Sequence, residues 1–329
     1  MRTALVAIGG NSLIRAGEAS TVATERAHLK ETCAALASVI AAGCRVVVTH
    51  GNGPQVGAAL RRSELGAADA YPLPLDICVA STQGEIGVLL QQALGDALEA
   101  RSIQRPVATL LTQVIVSAED PGFAQPSKPV GPFYSAGESE VRRRAGWTMI
   151  EEPPHGFRRV VPSPEPVEIV EEHAIRALLD AGVVTIALGG GGVPVTRRGA
   201  RLEGVEAVVD KDLASALLAV HLGVDVFVLA TDVDRVYVDF GRPTARGLTT
   251  VETDELRRFA ADGHFPAGTM GPKVEAALRF IDAGGSEAIV TSPARLAAAF
   301  EGHDEGTHIL READGVRRRR VRRLSTVFL

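Results

Sequence analysis

The chain of 329 residues is short of several features that would otherwise define its class. It has three cysteines, Cys33, Cys44 and Cys78, an odd number with no C-x-x-C pair. That excludes a disulfide scaffold and a cysteine-built structural zinc site, and the three read as core thiols. No run of about 18 apolar residues occurs, so no membrane-spanning helix is expected. The first residues enter an apolar strand pattern directly, without the charged segment, apolar stretch and cleavage site of a secretory signal. The expectation is a cytoplasmic protein with no membrane partner. No H-E-x-x-H is present, and His50 and His155 lack metal-ligand spacing, so the histidines read as structural. Nor is there a G-x-x-x-x-G-K-S/T loop. The glycine clusters at Gly51 and Gly189 do not fit G-x-G-x-x-G, which counts against a P-loop nucleotidase and an ordinary dinucleotide-binding enzyme.

What is present is a globular composition, with 46% of residues hydrophobic, enough for a sizeable core. The formal net charge is −5, yet the last fifteen residues, GVRRRRVRRLSTVFL, hold six arginines and no acid. The body is therefore acidic and residues 315–329 form a basic tail. The tail reads as a solvated terminus dispensable for chemistry; clustered arginine could also meet phosphate or an acidic partner. No nucleic-acid partner is expected.

Strand and helix patterns alternate through the first half, which implies a mostly parallel sheet with helices on both faces. After a strand around Leu5, helices are expected over Glu25 to Ala42, Pro54 to Leu65 and Asp76 to Ala100. A strand is expected at Arg45 to Thr49, and PVATLLTQVIVS reads as one further strand. From Asp120 to about Pro166 prolines and glycines break the rhythm, as in a lid or substrate-facing excursion. Regular alternation then returns, with helices at Glu171 to Ala181 and Asp212 to Leu222, and strands at Val183 to Leu188, VDVFVLA and EAIVTS. TDELRRFAAD and PKVEAALRFIDA read as helices.

Three strand ends run into glycine: Gly9, Gly10 and Asn11; Gly51, Asn52 and Gly53; and Gly189 to Gly192. Each serves as a tight connection, but glycine also permits positive φ and close approach to backbone N–H groups. In open α/β sheets, ligands sit beyond the carboxyl ends of the strands, where such loops would converge on an anion.

Lysine is scarce. Of 35 lysines and arginines, four are lysine: Lys30, Lys128, Lys211 and Lys273. A chain that uses arginine for ordinary charge and keeps lysine in three unusual settings points to positions that need a compact ammonium. Lys128 lies in the proline-rich insertion, Lys211 follows Asp210 at a helix start, and Lys273 follows AGTMGP at another. Ammonium groups near glycine loops suit phosphoryl transfer, which needs charge stabilisation more than covalent help. Asp210 suits a helix N-cap and could also orient ammonium groups.

AIGGNSL, THGNGPQVG, DICVASTQGEIG, KPVGPF, RRVVPSPEP, GGGGVPV, GVEAVVDKDLAS and MGPKVEAAL resemble, in order and spacing over about residues 3 to 310, the signatures of the amino acid kinases and among them the carbamate kinases. The resemblance implies a three-layer αβα sandwich with an open, mostly parallel sheet and a small protruding subdomain at about 120–166. It implies a single domain over 1–314, with a substrate half at about 1–183 and an ATP half at about 184–314, and a homodimer. The implied reaction is reversible transfer between ATP and carbamate, run toward ATP in breakdown of arginine or related nitrogen compounds. Another small carboxylate as substrate, or a ligand-sensing role on the same fold, are the alternatives.

By position, the resemblance assigns Gly9, Gly10, Asn11, Gly51, Asn52 and Gly53 to carbamate and the transferred phosphoryl group. Lys128, Lys211, Lys273 and Asp210 become the catalytic set, with Asp210 organising the lysines. Gly190, Thr231, Asp234 and Met270 become nucleotide contacts. Mg2+ would accompany ATP or ADP, held mainly by phosphates and water, so no protein ligand is assigned to it. The chain departs from the family in the stretch His155, Gly156, Phe157, where arginine, glycine and tryptophan are usual and the glycine alone is kept, and in its arginine tail.

Overall fold

A computed structural model describes residues 2–10, 13–14, 18, 21–266, 268–302 and 304–311. Asn11 and the arginine tail lie outside the described residues. Eight strands form the central sheet, in the order Thr250–Glu252, Thr307–Leu310, Glu287–Thr291, Val226–Ala230, Thr3–Ile8, Arg45–His50, Val184–Ile186 and Val107–Thr109. All run parallel except that Thr307–Leu310 is antiparallel to Glu287–Thr291 and carries Thr250–Glu252 parallel to itself.

Side-chain alternation makes the three layers. Along Thr3–Ile8, Leu5 and Ala7 enter one core while Ala4, Val6 and Ile8 enter the other, as a two-residue period dictates. Both faces are buried, so the strand is apolar throughout. One core receives helix Val22–Ala41 through Leu29, Cys33, Leu36 and Ile40, a helical stripe, and helix Leu75–Glu99 through Ile86, Leu90 and Leu94. The other receives helices Glu172–Asp180, Lys211–Leu222 and Met270–Asp282. Thr21 caps Val22–Ala41 by accepting from the Thr24 N–H at 3.1 Å.

Two sequence expectations are corrected. PVATLLTQVIVS is two strands: Val107–Thr109 edges the central sheet, whereas Gln113–Val116 joins a second sheet with Pro166–Ile169, Val193–Arg198 and Arg201–Gly204. The break falls at Thr112, whose N–H leaves the ladder for the Gln83 side-chain oxygen at 2.8 Å. The stretch from Asp120, expected to be irregular, carries a three-stranded antiparallel sheet of Lys128–Tyr134, Gly156–Val161 and Thr148–Glu152, with helix Ala136–Arg144. Cross-strand pairing supplies the regularity that proline and glycine hide from a local reading.

This subdomain sits on helix Gly53–Gly66. Gly57 meets Gly131 so closely that a Cβ on Gly57 would stand 3.0 Å from the Gly131 Cα. Arg142 reaches Glu64 at 2.8 Å and Arg159 reaches Glu206 at 3.2 Å. Arg142 also stacks on Tyr134, Arg159 on Trp147, and Arg143 on Phe157, so the altered family position is packed by a cation. His155 lies against Phe133 with ring centres 5.2 Å apart. The docking brings Lys128, the first residue of the subdomain sheet, over the ends of the central strands.

Candidate active site

Strands Thr3–Ile8, Arg45–His50 and Val226–Ala230 end side by side, and their loops frame two neighbouring cavities of about 330 Å3 each. Gly10, Lys211, Gly268, Thr269 and Lys273 line both, so the two meet at the paired lysines. Lys128, Asp210, Gly51, Asn52, Gly53 and Gly190 line one of them. Gly9, Thr231 and Met270 line the other, with Tyr237, Phe240 and His264. Asp234 lines neither, and Gly190, expected beside the nucleotide, faces the cavity of Asn52 and Lys128.

The glycines are needed for backbone contact more than for bare donors. The Gly9 N–H is committed to the Ala230 carbonyl and the Gly51 N–H to that of Ile8, both at 2.9 Å. A Cβ on Gly51 would stand 2.9 Å from the Gly10 nitrogen, so no other residue lets the two loops touch. The available donors come from helix Gly53–Gly66: its first helical bond runs from Val56 N–H to the Asn52 carbonyl at 2.8 Å, ahead of which Gly53 and Gln55 have N–H groups and Pro54 has none. His50, fully buried, holds the Gly51 carbonyl with Nδ1 at 3.0 Å. Burial pushes its pKa down to about 4, with Lys211 acting the same way, so the ring is neutral at pH 7.

Asp210 caps helix Lys211–Leu222, accepting from the Asp212 and Leu213 N–H groups through Oδ1, and takes the Lys128 ammonium on Oδ2 at 2.5 Å. It does not hold the other two lysines. Asp212 does, with Lys211 at 2.5 Å on one oxygen and Lys273 at 3.0 Å on the other. Burial alone would raise the Asp212 pKa, but the two ammonium groups hold it at about 2. Burial lowers that of Lys211, Lys273 adds to the effect, and Asp212 opposes it. Sequence reasoning missed Asp212; the signal was a carboxylate two residues into a helix that begins with lysine, where its own N–H is already capped.

These parts are the layout of an α/β phosphotransferase built without a P-loop. The chain belongs to the amino acid kinase family, whose sequence signature matches residues 2–292. It is 44% identical over 317 residues to the carbamate kinase of Thermococcus kodakarensis, covering 95% of this chain and all of that one. It is also 44% identical over 312 residues to the carbamate kinase-like protein YahI of Escherichia coli, covering 93% and 98%. The structure superposes on the carbamate kinase from Giardia lamblia bound to AMP-PNP with a TM-score of 0.90, at 37% identity over 94% of this chain and 99% of that one.

Proposed function

We propose that this chain is a carbamate kinase, transferring a phosphoryl group reversibly between ATP and carbamate to give ADP and carbamoyl phosphate. The observation that carries the reading is the junction of the two cavities at Lys211 and Lys273, both held by Asp212. A nucleotide in the cavity of Thr231, Tyr237 and Met270 and a small acid in that of Asn52 and Lys128 would meet there. Carbamate is an anion whose oxygen attacks phosphorus directly, so the reaction needs no general base. Lys211 and Lys273 neutralise the equatorial oxygens as charge spreads over them. Lys128, steadied by Asp210, covers the acid from the subdomain.

Magnesium fits as a companion of the nucleotide. Asp210 and Asp212 are engaged by lysines, and among the described residues no cluster of three His, Cys, Asp or Glu could hold a metal. Phosphate oxygens and water would supply most ligands, and the ion would add charge neutralisation at the phosphates.

We extend the reading to a cytoplasmic homodimer working toward ATP in nitrogen breakdown. No described helix is long and apolar enough to cross a membrane. Helix Leu75–Glu99 exposes Ile77 and Val88 on one helical face, about three turns apart, with open space over Gly84 between them, a face suited to a second copy. Sedimentation of the purified protein as a monomer would remove the dimer.

The carbamate kinase-like relatives at equal identity give a second reading, a different small carboxylate as acceptor. Phosphorus NMR of products from ATP with carbamate, bicarbonate, acetate and short amino acids separates the two. Carbamoyl phosphate as the main product supports the first; faster phosphorylation of another acid replaces it.

A further inference from the structure

The geometry points to Thr82 as the positioning residue that decides which face of the Asn52 amide meets the small acid, giving the site its preference for an acid that carries an N–H group. This rests on the carbamate reading and names a determinant of its specificity. Thr82 is fully buried on helix Leu75–Glu99 and lines neither cavity; Asn52 lines the acid cavity.

The orientation of Asn52 follows from counting hydrogens. Thr82 Oγ1 donates its one hydrogen to the Val79 carbonyl at 2.7 Å and has lone pairs left for Asn52, which stands 2.8 Å away. Asn52 must therefore present Nδ2 to Thr82 and keep Oδ1 on the other side. The flipped amide would either set two acceptors against each other in a buried place or turn the hydroxyl away from the Val79 carbonyl and give up that bond. Gly190 walls the amide in: a Cβ there would stand 2.2 Å from Nδ2 and 2.6 Å from Oδ1. The Gly190 loop is fixed in turn by Gln83, which follows Thr82 and donates to the Gly189 carbonyl at 3.0 Å.

The rest of the acid cavity favours carboxylate oxygens without distinguishing what else the acid carries. Lys128, Lys211 and Lys273 are donors, and the carboxylates of Asp210 and Asp212 are taken by them. Among the described residues no donor takes Asn52 Oδ1. That leaves Asn52 Oδ1 as an acceptor for the N–H of carbamate, which acetate lacks. A site built to pair such a group rejects the isosteric analogue without it more strongly than an apolar pocket would.

The experiment compares ATP formation from ADP and magnesium with carbamoyl phosphate or acetyl phosphate, which differ by NH2 against CH3. Wild type, Thr82→Val and Thr82→Ser are compared; valine keeps the shape and removes the acceptor, and serine keeps it. Wild type is expected to favour carbamoyl phosphate strongly. In Thr82→Val the ratio of kcat/KM for the two is expected to fall at least tenfold through loss on carbamoyl phosphate, with KM for ADP unchanged, and Thr82→Ser is expected to restore it. Equal losses on both substrates, leaving the ratio unmoved, would show that Thr82 only packs and overturn the inference. So would a wild-type enzyme indifferent to the two substrates. If the valine variant does not fold, Thr82→Ala decides by the same ratio. Wild type inactive on both removes the carbamate reading itself, and the inference with it.

Discussion

Asp212 and Lys273, 61 positions apart in the chain, are joined by a hydrogen bond of 3.0 Å at the meeting point of the two cavities. The same carboxylate takes Lys211, so one buried negative charge steadies the two positive ones. Without phosphate, the lysines lean on Asp212; with phosphate, they would have a second anion to share. Charges held in place beforehand would act in the proposed transfer without reorganising.

Asp212→Asn keeps the shape and removes the charge. Turnover is expected to fall roughly 10²-fold or more, the scale of losing a preorganised charge. Breaking a buried pair on one side also costs on the order of 3–5 kcal/mol. Steady-state assay and urea unfolding check both, and a variant near wild type in both would show that the lysines need no such anchor.

Acid should loosen the protein in two steps. His50 titrates near 4 in the fold against 6.5 as its ordinary value, so the unfolded chain binds the extra proton first. Its contribution, about 3 kcal/mol by the linkage of pKa to stability, is full above pH 6.5 and is lost as pH falls from there toward 4. Asp212, depressed from 3.8 to about 2, gives a contribution present above pH 4 and lost as pH falls toward 2. Urea unfolding at pH 7 and pH 5 should show the first step in wild type. His50→Asn, which can keep a donor for the Gly51 carbonyl, should flatten it; an unchanged slope would assign the step elsewhere.

Thiol reagents should leave the enzyme active. Cys33, Cys44 and Cys78 are all buried and none lines either cavity. Burial pushes Cys33 up to about 12 and Cys44 up to about 11, and raises Cys78, so little thiolate forms. Iodoacetamide is expected to label none of them in the native protein and all three after unfolding. Rapid inactivation with one label incorporated would contradict this.

Gly51→Ala should damage binding of the acid more than that of the nucleotide. Its Cβ would press on the Gly10 backbone, which cannot move aside as a side chain could. The KM for carbamoyl phosphate is expected to rise by tenfold or more, with a smaller change for ADP. Equal changes in both would place the damage in the fold as a whole.

Much of this was legible in the sequence because its causes are local. Apolar runs ending in glycine marked two of the three strands that frame the site, Thr3–Ile8 and Arg45–His50, and the scarcity of lysine singled out Lys128, Lys211 and Lys273, which the fold gathers around one pair of cavities. What escaped depended on distant partners. Asp212 looks like a helix-start acid until Lys273 arrives from 61 residues away. Thr82 and Gln83 look like ordinary helix residues until Asn52 and Gly189 are placed against them. The strands Thr250–Glu252, at the sheet edge, and Thr307–Leu310, beside it, are short and pair with each other, which no period reveals. Asp234 lies on the same loop as Thr231 but is exposed, a turn geometry that spacing did not convey.

In the proposed reaction, phosphoryl transfer passes between the cavities at Lys211 and Lys273. Its most direct test is ATP formation from ADP, magnesium and carbamoyl phosphate by wild type and by Lys273→Ala, with nucleotide binding measured on both. Rapid ATP synthesis is expected from wild type and a loss of roughly 10²-fold or more in the variant, the scale of one charge-stabilising group, while the variant still folds and binds ADP. ATP synthesis at the wild-type rate in Lys273→Ala would contradict it.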